Sequence, residues 1–300
     1  MAVREDRALS PGLTPAPLSR QLSVDAADGC NINVTQFGRG QDVLILVHGF
    51  GENGYSWGEL PPDLTSAYCV LAVDLRGHGD SQWDPAAQYR RDLFVSDLTR
   101  LVDQLQLDSF CVAGHSLGAS IALRLATLRP RQVRKLVLVE FNIEVIADEV
   151  LDFILAQFTA QFRVYDSPDE YHAFLETQRP AADRVALLRY ARHAVRRRQG
   201  GGYEVKCDPE LRRLTCDLRD ARESGRDRYA LSGLGCPLLL VRGSGSAILT
   251  KAGAQQIVNL VPGARQVAVA GAGHSVMLDR PREFTDAVAP FLLDRPIRQP

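Results

Sequence analysis

The stretch "SFCVAGHSLGASIALRLATLRP", residues 109–130, decides the fold. It opens as a short apolar run, turns at Gly-His-Ser-Leu-Gly (114–118), and continues as an alanine- and leucine-rich segment that stops at Pro130. That order reads as a buried strand, a tight turn and a helix. Glycines flank the serine because a strand that turns at once into a helix brings neighbouring backbone close. Such a turn presents the Ser116 hydroxyl at the edge of a sheet, and the helix N-terminus behind it favours developing negative charge.

The same rhythm runs outward from this turn. "VLILV" (43–47), "YCVLAVDL" (68–75), "KLVLVE" (135–140) and "PLLLVRG" (237–243) are continuous apolar runs, as expected of strands covered on both faces. "CNINVTQF" (30–37) alternates for a half-buried strand, and "RQVAVAG" (265–271) closes the series. Helical patterns lie between them. Val95, Leu98, Leu101, Val102 and Leu105 recur at helical spacing, and 251–263 and 281–294 supply two more helices, the last interrupted near Pro290. Buried strands alternating with helices imply an α/β protein with a mostly parallel central sheet flanked by helices.

Residues 142–234 break the rhythm: no buried strand is expected there, only helical stretches such as 150–162 and 182–198. That span reads as a helical cap inserted into a core made of 21–141 and 235–300. "RHAVRRRQGGG" (192–202) reads as a solvated helix end and flexible loop, and the proline-rich segment 1–20 as a flexible tail.

Composition excludes more than it assigns. The 300 residues are 45% hydrophobic and 24% charged with a formal net charge of −1, which gives no reason to expect nucleic acid or a membrane as partner. No apolar stretch approaches the roughly 20 residues of a spanning helix. No basic segment followed by an apolar run opens the chain, so a cytoplasmic protein is expected. Six cysteines (30, 69, 111, 207, 216, 236) lack CxxC spacing, which suits reduced thiols and gives no metal site.

With its strand and helix, "GHSLG" has the form of a nucleophile elbow, and here the chain resembles the α/β-hydrolase fold family, in its serine hydrolase branch with a helical cap. Three further stretches carry the resemblance: "LVHGFGENGYSW" (46–57), "DLRGHGDS" (74–81) and "GAGHSVMLDRP" (271–281). The likeness covers roughly 30–142 and 235–295 and implies a cap inserted after the sixth core strand. It implies Ser116 as nucleophile and His274 as its base. The backbone N–H groups of Phe50 and Leu117 would form the oxyanion hole. His48 and His78 belong to turn motifs that the family uses structurally, and the His115 ring is expected to point away from the site. No cofactor and no metal are implied.

The acid is missing from its usual place. In most of the family it follows the strand after the cap, where this chain has Ser246 in "GSGSAIL" (243–249). Serine cannot carry the charge that stabilises an imidazolium. A minority of the fold places the acid at the end of the preceding strand, where this chain reads "LVLVEFN" (136–142). Glu140 is therefore the expected acid, ahead of Glu144, Asp148 and Glu149.

The expected activity is serine hydrolysis of a carboxylic ester, thioester or lactone through an acyl-enzyme on Ser116, with an apolar small-molecule acyl substrate as partner. Acyl transfer, cyclisation or C–C bond hydrolysis on the same triad is the alternative, and a non-catalytic binding homologue is the second. In the cap, Phe153, Phe158, Phe162, Tyr165 and Phe174 suggest either an apolar roof or packing of the cap onto itself.

Overall fold

The apolar runs become the middle of one sheet. The computed structural model describes residues 19–58, 62–214 and 221–296. Its core strands are β1 (Ser19–Asp25), β2 (Asn31–Phe37), β3 (Asp42–Val47), β4 (Tyr68–Val73), β5 (Phe110–His115) and β6 (Val133–Val139). After an insertion containing the short strands β7 (Val195–Arg197) and β8 (Tyr203–Val205) come β9 (Leu238–Gly243) and β10 (Arg265–Val269). The eight core strands take the order β1-β2-β4-β3-β5-β6-β9-β10. β4 through β10 run parallel in this sheet, while β1 and β2 form an antiparallel edge.

All six residues of β5 are buried, because helices cover both faces of the sheet there. α1 (Pro62–Ala67) and α2 (Arg91–Gln104) precede β5; α2 buries Val95, Leu98, Leu101 and Val102 of the expected stripe together with Phe94, while Leu105 is its half-buried C-cap. α3 (Leu117–Leu128) leaves the serine turn and is buried along most of its length. The chain order reverses between β3 and β5, the topological position at whose carboxyl edge open α/β sheets bind their ligands.

Two expectations need correction. The chain is already paired at Ser19, inside the segment 1–20 read as a tail; residues 1–18 lie outside the described residues. β1 escapes a pattern search because it is an edge strand, mostly exposed, with Leu22 and Val24 as its only apolar residues. The helical reading of 182–198 also runs too far. After α4 (Asp148–Ala160) and α5 (Pro168–Gln178), α6 (Arg184–Ala194) stops at Ala194, and β7 pairs antiparallel with β8. Gly201 and Gly202 take φ of 91° and 71° in the turn between them, a region closed to most side chains. Tyr165 extends the hairpin, exchanging backbone hydrogen bonds of 2.9 and 2.7 Å with Tyr203.

The insertion lies over the carboxyl ends of the strands. Asp183 N donates to Leu278 O (2.8 Å), Asp208 N to Gly77 O (2.8 Å) and Tyr190 Oη to Gly51 O (3.4 Å). The chain then returns to the core through α7 (Ala221–Ser232), with α8 (Lys251–Leu260), α9 (Val276–Asp279) and α10 (Pro281–Leu292) around the last two strands. Among the described residues no helix is long and apolar enough to cross a membrane.

The "DLRGHGDS" turn is held by a buried cation. Arg76 is 1% exposed and donates to Asp97 (2.7 and 2.6 Å), Asp28 (2.8 Å) and Asp84 (3.1 Å). Burial works against its charge, but Asp97 and Asp28 outweigh it and hold the guanidinium above its ordinary pKa. Replacing Arg76 by Met leaves the buried Asp97 without its partner. The expected loss is about 3–5 kcal/mol of stability, read from the denaturation midpoint. A loss below about 1 kcal/mol would show that these carboxylates find other partners.

Candidate active site

Ser116 sits at φ 51° and ψ −113°, left-handed backbone for a residue with a side chain. Such strain persists only where the surroundings enforce it. Here backbone approach enforces it. A Cβ on Gly114 would lie 2.2 Å from Gly118 O, and one on Gly118 would lie 2.2 Å from Val47 O. Ser116 N is anchored to Val139 O at 2.9 Å, and Ser116 O accepts from Ala119 N at 3.0 Å as α3 begins.

His274 arrives on the loop after β10. That loop is closed by Asp279, whose Oδ2 accepts from Gly273 N at 2.7 Å. The His274 ring centroid lies 4.8 Å from that of His115, the residue before Ser116, so the loop sits beside the elbow. Its Nδ1 is 3.0 Å from Glu140 Oε2.

Glu140 follows β6 with φ 53° and is 1% exposed. Its Oε1 accepts from Gly243 N (2.7 Å), and its Oε2 accepts from the Ser246 hydroxyl. Ser246 Oγ in turn accepts from Ile248 N and Leu249 N, both at 3.1 Å. Ser246, where most of the family would carry its acid, thus donates a hydrogen bond to Glu140. The weaker alternatives lie elsewhere: Glu144 Oε1 accepts from Gln256 Nε2 (3.1 Å), and Asp148 and Glu149 form the first turn of α4.

The loop after β3 carries Phe50, and α3 begins at Leu117, whose N–H has no carbonyl one turn before it. No described hydrogen bond takes up either amide. Two buried imidazoles shape this loop. His48 Nδ1 faces Gly49 O (2.8 Å) and its Nε2 accepts from Leu75 N (3.0 Å); His78 Nδ1 faces Arg76 O (3.0 Å) and its Nε2 accepts from Gly51 N (3.1 Å). Each needs one N–H and one lone pair, which is the neutral ring. Burial favours the same form, lowering His48 and pushing His78 down to about 3.

Sequence reasoning missed two charged residues here. Glu52, 4% exposed, accepts from Gly49 N (3.0 Å) and meets His115 Nδ1 (3.0 Å). Arg179, at the end of α5, donates from Nη1 to Ser275 Oγ (3.1 Å) and lies 3.6 Å from Glu52 Oε1. An acid within the glycine-rich "HGFGENG" (48–54) was the available signal for Glu52; none pointed to Arg179.

The cap aromatics separate. Phe158 packs on Phe50 (centroids 4.6 Å) and on Phe162 (4.9 Å), beside the loop after β3. Tyr165 and Phe174 pack with Tyr171 inside the cap. Phe153 is 61% exposed and roofs nothing.

A strained serine turn at the switch point of a mostly parallel sheet, beneath an inserted helical segment, is how hydrolases of the α/β class are built. The chain belongs to the alpha/beta hydrolase fold family, whose model matches residues 42–281. It is 28% identical over 267 residues to the 2-(acetamidomethylene)succinate hydrolase of Mesorhizobium japonicum, covering 87% of this chain and 91% of that one. A solved structure of E-2-(acetamidomethylene)succinate hydrolase superposes with a TM-score of 0.81 at 25% identity, over 92% of this chain and 99% of that one. The pimeloyl-[acyl-carrier protein] methyl ester esterase of Aeromonas hydrophila is 28% identical over 268 residues, 87% of this chain and 99% of that one. A mouse epoxide hydrolase 4 is 36% identical over 105 residues, which span 34% of this chain and only 29% of that protein.

The elbow glycines give a direct test of this geometry. Gly118→Ala puts a methyl group into the Val47 carbonyl, and backbone cannot swing aside as a side chain can. The variant is expected to lose about 1–3 kcal/mol, seen as a lower melting temperature. Melting at the wild-type temperature would mean that β3 and α3 are not pressed together in solution.

Proposed function

We propose that the chain is a serine hydrolase that cleaves a carboxylic ester, thioester or lactone through an acyl-enzyme on Ser116. One observation carries this reading: His274 Nδ1 is paired with a buried glutamate that a backbone amide and a hydroxyl hold in place. A carboxylate at Nδ1 fixes the tautomer whose Nε2 is free to accept a proton.

Ser116 Oγ attacks the acyl carbon while His274 Nε2 takes its proton. The carbonyl oxygen, now negative, accepts from the Phe50 and Leu117 amides. Collapse expels the alcohol or thiol, protonated by His274. Water then repeats the sequence against the acyl-enzyme, with the same imidazole as base. Glu140 holds the ring and offsets its charge in both halves. The Phe50–Phe158–Phe162 cluster beside the oxyanion loop suits an apolar acyl group.

The names of the full-length relatives, a hydrolase and a methyl ester esterase, support this choice. Epoxide opening in this fold uses a carboxylate nucleophile, and the elbow here carries serine. The non-catalytic reading rested on the missing acid, and Glu140 supplies one.

A fluorophosphonate should add a single label on Ser116 and none to Ser116→Ala, and p-nitrophenyl butyrate turnover should vanish with it. Glu140→Gln keeps the shape and removes the charge, so kcat should fall by roughly 10² to 10⁴. Ser246→Ala, which leaves the carboxylate its Gly243 amide, should cost only a few-fold. Full activity in Glu140→Gln, or labelling that survives in Ser116→Ala, would remove the mechanism.

A further inference from the structure

His115 is 1% exposed and immediately precedes Ser116, and both of its ring nitrogens face oxygen acceptors. Nδ1 lies 3.0 Å from Glu52 Oε2, and Nε2 lies 2.9 Å from the backbone carbonyl of His274. A neutral imidazole has a single N–H, so one of these contacts would then set lone pair against lone pair. His48 and His78 are the contrast, since each faces one acceptor and one backbone N–H. A neutral His115 could be rescued only by a proton on Glu52. The carboxylate form of Glu52 is favoured instead, because it accepts from Gly49 N at 3.0 Å and has Arg179 at 3.6 Å.

We propose that His115 is a standing imidazolium and the positioning residue that ties the oxyanion loop to the histidine loop. It reaches the first through Glu52 and the Gly49 amide, one residue before Phe50. It reaches the second through the His274 carbonyl. The cap joins the same knot, since Arg179 binds both Ser275 and Glu52. The glycine after His48 follows from it: a Cβ on Gly49 would lie 2.7 Å from His115 Nδ1. A cation held there sets the spacing between the amide that receives the oxyanion and the imidazole that moves the proton.

The groups facing His115 are Glu52 and His48 from the β3 loop, Arg179 from the cap, His274 from the β10 loop and Glu140 at the end of β6. Burial alone would lower its pKa, but the Glu52 charge and hydrogen bond outweigh burial and raise it. A raised folded pKa has a definite sign in linkage. The stability it contributes is complete below the ordinary value of about 6.5 and is lost as pH rises through the folded value. The knot therefore loosens on the alkaline side.

The test is side-chain ¹⁵N NMR of the full chain with labelled histidine, beside the pH dependence of kcat for p-nitrophenyl butyrate. In the wild type, both His115 nitrogens should be protonated at pH 7, and kcat should fall as they titrate. Glu52→Gln removes the favourable charge and should move the His115 titration and the alkaline limb down by about 1–3 pH units. Arg179→Met removes an unfavourable charge and should move both upward. KM should change less than kcat. A merely structural role would lower activity in both variants without moving the limb in opposite directions. A His115 ring with one unprotonated nitrogen at pH 7 overturns the proposal, and so does a limb that stays in place in Glu52→Gln. Only the effect on rate rests on the serine hydrolase reading. The protonation state is measured without turnover, so even a chain that cleaves no ester reveals the charge on His115.

Discussion

The site depends on one close contact, that of Gly118 at the start of α3 against the carbonyls of Val47 and His48 at the end of β3. A Cβ there would lie 2.2 and 2.4 Å from those oxygens, so the helix can seat only where residue 118 has no side chain. Seating it forces Ser116 into left-handed backbone. The same contact brings the first amide of α3 beside the loop that carries Phe50. The Ser116 turn and the Leu117 amide are thus set by one backbone approach, and the strain at Ser116 is borne by the burial of α3 on both sides.

The pairing of Glu140 with His274 follows from sheet order. β6 and β9 are neighbours and run parallel, so their carboxyl ends lie side by side. An acid on either strand end can reach the imidazole delivered after β10. When β6 supplies it, the β9 loop is free to hold it: Gly243 gives an amide to one oxygen and Ser246 a hydroxyl to the other. Ser246 is itself fixed by accepting from the amides of Ile248 and Leu249. A carboxylate buried to 1% exposure is costly unless each oxygen is satisfied, and both are.

What was legible in the sequence was whatever one residue type alone can announce. Unbroken apolar runs marked the buried strands, and glycines around Ser116 marked the turn. Glu140 stood out because a charge ends an apolar run. β1 was hidden because an edge strand with one face in solvent has little pattern to show. The β7–β8 hairpin was hidden because helix and strand both tolerate "AVRRR" (194–198); the turn glycines beyond it decided the matter. Glu52, His115 and Arg179 lie far apart in the chain, and their charges acquire meaning only through contact. The expectation that the His115 ring points away from Ser116 gave no hint that it would bridge two loops.

One device recurs around the crevice. Four buried acids each accept a hydrogen bond from a glycine amide in a loop framing the site. These are Glu52 from Gly49 (3.0 Å), Asp74 from Gly54 (2.7 Å), Glu140 from Gly243 (2.7 Å) and Asp279 from Gly273 (2.7 Å). At Gly49, Gly54 and Gly273 an added Cβ would come within 3.2 to 3.3 Å of the carboxyl oxygen itself. Glycine is therefore the donor that lets the acid approach without moving the loop. Loops have no ladder of their own to satisfy their amides, so a buried acid substitutes for one, from a strand or helix end for Asp74, Glu140 and Asp279 and from within the loop for Glu52. Two of the four acids hold a glycine next to a candidate site residue: Glu52 holds Gly49 beside Phe50, and Asp279 holds Gly273 beside His274. The loops around the candidate site are thus held by single short bonds to buried charges, three of them at the ends of strands or a helix and one, Glu52, within the loop after β3.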